Sequence, residues 1–220
     1  VDSCLFEALL RAISVTCKLV LVGDSDQLPS VGAGNVLKDI IDSGVMSVVT
    51  LKEIFRQAQE SDIVMNAHKI VSGEHIDLKK KDKDFFFFQR LDFEGLQSLV
   101  VELCRERLPK AYGFSPIENI QVLSPTRKGP AGTMELNRRL QEELNPKAAG
   151  KSEIKTPKYI YRCGDKVMQT KNDYEILWKK QLDDENTESG TGIFNGDIGI
   201  IINVNKILKS VTIDFEGRVA

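Results

Sequence analysis

Apolar residues recur along the first two thirds of the chain with two spacings, which predict helices and strands in alternation. Leu5, Leu9 and Ile13 lie on one face of a predicted helix that Asp2 or Ser3 caps. The same helical spacing recurs within residues 36–41, 63–71, 96–103 and 133–144. Continuous apolar runs predict strands at residues 17–22, 48–51, 85–88 and 120–123. Such alternation is typical of an α/β domain with a largely parallel sheet.

The four consecutive phenylalanines at residues 85–88 allow two interpretations. Exposed aromatic rings can stack on bases. A contiguous run, however, places side chains on both faces of a strand, which favours a buried core strand.

The pattern changes after Pro146. Residues 147–158 are polar and indicate a linker, whereas residues 166–170, 198–204 and 211–215 have the alternation of β-strands. The pair Asn195-Gly196 is a strong turn signal. We therefore predict a small antiparallel β unit in the form of a barrel, in which the acidic residues 181–192 form a mobile loop tip.

Composition narrows the functional classes. The 220 residues are 41% hydrophobic and carry a net charge of −2, so nucleic-acid binding would require local basic patches. The four cysteines are widely spaced and the chain has only two histidines, which argues against a zinc site and suggests reduced thiols in the cytoplasm. We expect no metal bound by this chain itself, no membrane span and no signal peptide. The first residues resemble the middle of a protein, so we expect a fragment.

A polar turn follows the first predicted strand. Residues 23–27 read Gly-Asp-Ser-Asp-Gln and lie where ligands bind in open α/β sheets. Gln27 can orient an attacking water or bond a phosphate oxygen. The alternative is a turn whose carboxylates only cap backbone N–H groups. No G-x-x-x-x-G-K-[ST] phosphate loop occurs in the 220 residues.

Three further motifs carry possible chemistry. Arg56, within residues 51–57, can act as an arginine finger in phosphoryl transfer or be an ordinary surface residue. Residues 124–133 combine a proline, two glycines and two cations before a helix whose first N–H groups are expected to be free. This arrangement suits a repeating anion such as a nucleic-acid backbone, and the alternative is an ordinary basic loop. Residues 164–174 and residues 194–199 form the third motif. The second of these segments contains a β-turn signal, which is expected to form a turn of the small β unit whatever else it does.

The order of these motifs resembles the RecD-like branch of superfamily 1 DNA helicases, which includes the alpha subunit of exodeoxyribonuclease V. Residues 23–32 resemble that family's motif III, and Phe55-Arg56-Gln57 resembles motif IV. Residues 124–129 resemble the block that follows. Residues 164–174 with 195–197 resemble the segment entering an inserted SH3-like barrel.

The resemblance implies the fold class α/β, as part of a RecA-like P-loop NTPase helicase with a parallel sheet, flanking helices and a small SH3-like β-barrel insertion. Residues 1–47 would belong to the first RecA-like domain, 48–158 to the second, and 159–220 to the insertion. The phosphate loop and an Asp-Glu pair would precede Val1, and the last motifs would follow the barrel. The 220 residues alone are therefore expected to be inactive as an ATPase.

The resemblance also implies a nucleotide site that takes ATP and Mg²⁺ in the full-length parent. Gln27 would sense the γ-phosphate, and Asp24 would hold the turn near magnesium and water. Gly23 belongs to the same turn. Arg56 would reach the phosphate from the second domain, so that hydrolysis is linked to closing of the cleft.

DNA contacts are implied for Thr126, Arg127 and Lys128, which would hold the DNA backbone, and for Asn195 in a barrel turn. The parent would be an ATP-dependent 5′–3′ helicase acting on single-stranded DNA in recombinational repair, cytoplasmic, with other exodeoxyribonuclease V subunits as possible partners. Two alternatives stay open. One is a non-catalytic nucleic-acid or protein-binding module on a RecA-like shell, and the other is the helicase part of a conjugative relaxase.

Overall fold

The computed structural model describes residues 1–51, 59–81, 83–183 and 186–220. The chain divides into two units, Val1–Phe88 and Gln89–Ala220. Each unit has its own helices, and all strands among the described residues lie in the second.

Three helices of the first unit follow the predicted pattern: α1 (Ser3–Ala12), α2 (Val36–Ser43) and α3 (Asp62–Val71). The Asp2 carboxylate caps α1 by accepting a 2.8 Å hydrogen bond from the Leu5 N–H. Ser61 caps α3 in the same way, through the Val64 N–H. Gly44 ends α2 in the left-handed conformation, at a φ of 67°. The helix predictions are confirmed here because caps and terminating glycines are local signals.

The strand predictions for this unit are not met. The structure has no strand at residues 17–22, 48–51 or 85–88. Val20 and Val22 are 69% and 93% exposed, and Phe86 and Phe87 are also exposed rather than buried. Apolar composition indicates burial, but a strand also needs a neighbouring strand for its backbone hydrogen bonds. No other described segment of this unit supplies one, so the predicted parallel sheet is not confirmed.

The second unit begins with helix α4 (Phe93–Glu102), which continues through a π-helical turn at Leu103–Arg107 into the short α5 (Leu108–Tyr112). Helix α6 (Thr133–Leu144) ends before Asn145, as predicted. Leu99, Cys104 and Leu136 are buried on these helices. The strand predicted at residues 120–123 is absent, and Leu123 is 87% exposed.

Two antiparallel sheets complete the second unit. Strands β1 (Glu153–Lys155) and β2 (Ile160–Arg162) pair with each other. The other sheet has the order β3-β6-β7-β8-β4-β5, and its neighbours are antiparallel. Its strands are β3 (Lys166–Met168), β4 (Asp173–Gln181), β5 (Thr187–Ile193), β6 (Ile198–Asn205), β7 (Ser210–Phe215) and β8 (Arg218–Val219). Ile193, Ile201 and Phe215 form its buried core. The predicted antiparallel strands are thus present, although no pairing between β3 and β5 closes a barrel in the described residues.

Two loop predictions are wrong. The segment 181–192 is mostly strand, because β4 and β5 pair from Asp173↔Ile193 to Gln181↔Thr187. A Cβ atom at Gly190 would collide with the ring of Trp178. This glycine therefore allows close packing of an aromatic ring and does not mark a mobile tip. The linker predicted at residues 147–158 contains β1.

A buried polar network ties the end of α6 to these strands. Asn145, only 4% exposed, donates to the Asp165 carboxylate at 2.8 Å and to the Cys163 carbonyl at 3.1 Å. Asp165 also accepts from Gln141 and from the Arg162 N–H. The network fixes the segment between α6 and β3, which contains the paired strands β1 and β2.

Candidate functional site

The turn at residues 23–27 is held by its own side chains. One oxygen of Asp24 accepts a 3.0 Å hydrogen bond from the Asp26 N–H. The other oxygen accepts a 3.0 Å bond from the side-chain amide of Gln27. The first of these bonds is the capping that the plain-turn interpretation predicts. The second sets the position of the Gln27 side chain, which lies at the exposed surface of the first unit.

The loop that follows the turn packs on the start of α1. The Ser3 N–H donates to the Ala33 carbonyl at 2.9 Å. Gly34 has a φ of 90°, which favours glycine, and a Cβ there would collide with the Ser3 hydroxyl. A Cβ on Gly32 would likewise collide with Asp2. The two glycines therefore let the loop lie against the helix start.

The chemistry of the turn suits a nucleotide and its metal. Carboxylate and amide oxygens are hard ligands of the kind that Mg²⁺ and its bound waters accept. Each oxygen of Asp24 receives one of the two hydrogen bonds above and has a further lone pair. Gln27 donates through its side-chain nitrogen, and its side-chain oxygen can act as an acceptor. The predicted residues Gly23, Asp24 and Gln27 are thus brought together in one turn.

Arg56, with Phe55 and Gln57, lies outside the described residues. Its predicted role as an arginine finger stays a prediction.

The basic loop at residues 124–133 is built on Ser124. The Ser124 hydroxyl contacts the carbonyl oxygens of Ala131, at 2.8 Å, and Thr126, at 3.1 Å. Gly129 turns the chain with a φ of 91°. The loop presents Thr126, Arg127 and Lys128 to solvent, so the three predicted DNA-binding residues lie together.

One part of the anion-binding prediction for this loop is wrong. The first N–H groups of α6 were expected to be free for an anion. Instead the Thr133 N–H donates to the Thr126 carbonyl at 3.0 Å, and the Met134 N–H donates to the Arg127 carbonyl at 3.2 Å. The loop folds back over the helix start and uses these donors itself. Any anion would therefore be bound mainly by the side chains of Arg127 and Lys128.

The sequence prediction missed one neighbour of this loop. The Arg127 guanidinium donates a long hydrogen bond of 3.4 Å to the hydroxyl of Tyr159, which lies in the turn between β1 and β2. Tyr159 lies just after the segment assigned as a linker. The available signal was the Thr-Pro-Lys-Tyr turn at residues 156–159, between two short β-type runs.

Asn195 lies in an ordered turn between β5 and β6. Its N–H donates to the Asn172 side-chain oxygen at 2.9 Å, and the Asp197 carboxylate accepts from the Phe194 N–H at 3.0 Å. Arg218 reaches the same carboxylate at 3.3 Å. The turn geometry predicted for Asn195-Gly196 is present, and Asn195 is exposed.

Two charged groups near the β1–β2 pair have shifted pKa values. The hydrogen bonds from Arg162 lower the pKa of the Glu153 carboxyl, which Lys147 also approaches. Burial lowers the pKa of Lys166, whose ammonium group donates to the Ile120 carbonyl at 3.0 Å. The Glu153–Arg162 pair joins β1 to β2, and Lys166 lies on β3.

The described residues contain no group of three or more His, Cys, Asp or Glu side chains placed to hold a metal ion. None of the described helices has the length and apolar character needed to cross a membrane.

Comparison with known proteins matches both units. Residues 136–215 match the model of the ATP-dependent RecD-like DNA helicase SH3 domain, and residues 1–85 match an AAA domain. The first match contains β1 to β7, and the second contains the Gly23–Gln27 turn.

The curated relatives carry RecD names. The chain is 32% identical over 212 residues to the ATP-dependent RecD2 DNA helicase of Deinococcus radiodurans. This match covers 96% of this chain and 25% of that protein. It is 27% identical over 222 residues to the RecBCD enzyme subunit RecD of Mycolicibacterium smegmatis, covering 92% of this chain and 35% of that subunit. The RecBCD enzyme subunit RecD of Mycobacterium tuberculosis is 26% identical over 211 residues, and the match covers 90% of this chain and 33% of that subunit.

The chain spans between a quarter and about a third of the length of these relatives. The similarity extends over nearly all of this chain and includes a domain model specific to RecD-like proteins. The chain is therefore similar to RecD-like proteins over nearly all of its own length.

Proposed function

We propose that the chain is part of an ATP-dependent 5′–3′ DNA helicase that couples ATP hydrolysis to translocation on single-stranded DNA in recombinational repair. The observation that carries the proposal is the match of residues 136–215 to the RecD-like helicase SH3 domain, joined in one chain to an AAA match. The relative with 32% identity is named as a DNA helicase. A cytoplasmic location is part of the same proposal.

The proposed domain arrangement follows the family. Residues 1–47 belong to the first RecA-like domain, 48–158 to the second, and 159–220 to the SH3-like insertion. In the complete protein the apolar segment 17–22 is a strand of a parallel sheet, and its exposed Val20 and Val22 are covered by neighbouring strands. The antiparallel sheet of the second unit is the wall of a small barrel.

ATP and Mg²⁺ are the proposed ligands of the first unit's turn. When bound, the metal supplies charge neutralisation for the transferred phosphoryl group. Asp24 would hold the turn near the metal and its water, and Gln27 would orient the attacking water from its position beside Asp24. Gly23 allows the turn to sit close to α2, where a Cβ would lie 2.8 Å from Leu37 Cδ2. Arg56 contacts the γ-phosphate from the second domain.

Single-stranded DNA is the proposed substrate of the second unit. Arg127 and Lys128 bind phosphates, Thr126 offers a hydroxyl, and Asn195 contacts the strand from its turn. Such contacts are independent of sequence and sensitive to salt. Because two relatives are named as RecBCD subunits, other exodeoxyribonuclease V subunits are proposed partners.

The test is DNA-stimulated ATP hydrolysis by the full-length protein. We expect hydrolysis to rise when single-stranded DNA is added. A full-length protein that binds single strands but hydrolyses no ATP with or without them would instead be a binding module on a helicase-like shell.

A further inference from the structure

The contact between Arg127 and Tyr159 brings together two loops that contain no acidic residue. Residues 124–133 and 154–162 hold neither Asp nor Glu, in a chain that has 32 such residues. The 3.4 Å hydrogen bond between the Arg127 guanidinium and the Tyr159 hydroxyl places the loops side by side within the second unit. The two loops together form one surface, which we call the Arg127–Tyr159 surface.

This surface is strongly positive. Arg127 and Lys128 are exposed on the first loop, and Lys155 and Lys158 are exposed at the β1–β2 turn. None of the four forms an ion pair within the described parts of the chain, whereas the buried Arg162 is paired with Glu153 at 2.8 Å. Four cations without a carboxylate between them contrast with the net charge of −2 of the whole chain. A polyanion is the ligand that this arrangement favours.

The turn between β1 and β2 also holds the aromatic ring of Tyr159 in a fixed place. The Thr156 N–H donates to the Tyr159 carbonyl at 2.8 Å, and the Tyr159 N–H donates to the Thr156 hydroxyl at 3.0 Å. Pro157 restricts the same turn further. The rings of Tyr159 and Tyr161 have centroids 6.0 Å apart with planes inclined by 54°. Both tyrosines are half-buried, so part of each side chain is accessible to solvent.

We propose that the Arg127–Tyr159 surface is a binding site for single-stranded nucleic acid, in which a base stacks on Tyr159 and the four cations bind the flanking phosphates. Stacking aromatics beside cations are the features that bind single strands without sequence preference. An acidic peptide satisfies the cations but has no reason to need the ring. The inference rests on the proposed function, to which it adds Tyr159, Lys155 and Lys158 as binding residues.

The experiment measures the affinity of the full-length protein for two strands of equal length, oligo-dT and an abasic deoxyribose-phosphate strand. Tyr159→Ala is expected to weaken oligo-dT binding by roughly five-fold or more and to leave the abasic strand unaffected. Tyr159→Phe keeps the ring and is expected to bind oligo-dT nearly as the wild type does.

Lysine variants test the phosphate contacts. Lys155→Ala with Lys158→Ala is expected to make the dependence of log affinity on log salt shallower by about 1.4, since each phosphate contact contributes about 0.7 for single strands. Lys206→Ala with Lys209→Ala is the matched control, because these two lysines are exposed on the β6–β7 turn. The control pair is expected to keep the wild-type slope.

Three results would overturn the inference. They are an unchanged affinity of Tyr159→Ala for oligo-dT, an equal loss in Tyr159→Ala and Tyr159→Phe, and an unchanged salt slope in the Lys155 and Lys158 variant. Displacement of the strand by an acidic peptide at equal concentration would show a protein-binding surface instead. The proposed function fails separately, if the wild type shows no DNA-stimulated ATP hydrolysis.

Discussion

The side-chain amide of Asn145 donates a 2.8 Å hydrogen bond to the carboxylate of Asp165, which lies 20 residues further along the chain. Asn145 directly follows α6, and Asp165 directly precedes β3. The bond therefore connects the helix that follows the basic loop to the strands of the RecD-like SH3 match. It holds the residues between them, including Tyr159, in a defined place.

Asn145→Ala is expected to destabilise the second unit by about 1–3 kcal/mol, because Asp165 and the Cys163 carbonyl lose a donor in a buried place. Urea unfolding measures the change. Glu188→Ala, at an exposed position of β5, is the control and is expected to change stability little. Equal stability of Asn145→Ala and wild type would show that the network contributes nothing.

The Glu153–Arg162 pair predicts a pH dependence. Arg162 lowers the pKa of Glu153 below its ordinary value of 4.5 in the folded state. A carboxyl with a lowered pKa stabilises the fold above its ordinary pKa, and this stability is lost as pH falls through the folded-state value. Between about pH 6 and about pH 3, wild type should therefore lose more free energy of unfolding than Glu153→Gln, which cannot titrate there.

Unfolding of both proteins across that pH range measures the difference. Glu188→Gln controls for the loss of one exposed carboxylate. Parallel pH curves for wild type and Glu153→Gln would contradict the assignment of the stabilising pair.

Gly132→Ala is expected to disturb the basic loop. A Cβ on Gly132 would lie 2.6 Å from the Lys128 carbonyl oxygen and 2.7 Å from that of Arg127. These are backbone atoms, so the loop itself must move, at a cost of about 1–3 kcal/mol. Both thermal stability and single-strand affinity should fall. Unaltered affinity in a folded Gly132→Ala protein would mean that the loop conformation does not matter for binding.

Replacing both Arg127 and Lys128 with alanine in the full-length protein should weaken single-strand binding similarly for every sequence. The salt slope should become shallower by roughly one to two units, because two phosphate contacts are lost. A salt titration of affinity measures this. An unchanged slope would show that the two cations do not contact the DNA backbone and face solvent or a protein partner instead, as in a plain basic loop.

The structure also shows which features the sequence could predict. The helices α1, α2 and α6 were predictable because apolar spacing and end signals act within a few residues. These signals are the Asp2 cap of α1, Gly44 after α2 and Asn145-Pro146 after α6. The strand predicted at residues 17–22 is absent from the structure, because a strand needs partners that come from distant parts of the chain. Helices therefore followed from the sequence more closely than strands did.

In the candidate site, too, contacts between residues close in sequence were predictable and contacts between distant residues were not. The Asp24–Gln27 contact lies within one turn and could be expected from a polar cluster. The Arg127–Tyr159 contact joins residues 32 positions apart, and no local pattern indicates it. The occupied N–H groups of α6 were also missed, because the loop that covers them folds back through Gly129 and Gly132.

The nucleotide site is tested by Gln27→Ala and Arg56→Ala in the full-length protein. Both should slow ATP hydrolysis while sparing single-strand binding, and an arginine finger contributes on the order of 10³-fold in other phosphoryl-transfer enzymes. A normal rate of ATP hydrolysis in either variant would show that the substituted residue does not act in the nucleotide site.

The central claim is ATP-driven movement in the 5′–3′ direction, and strand separation on tailed duplexes tests it most directly. The full-length protein should unwind a duplex with a 5′ single-stranded tail when ATP and Mg²⁺ are present, and should leave a duplex with only a 3′ tail intact. Gln27→Ala should bind the 5′-tailed duplex and fail to unwind it. Unwinding from the 3′ tail alone, or of neither duplex despite tight binding, would contradict the account.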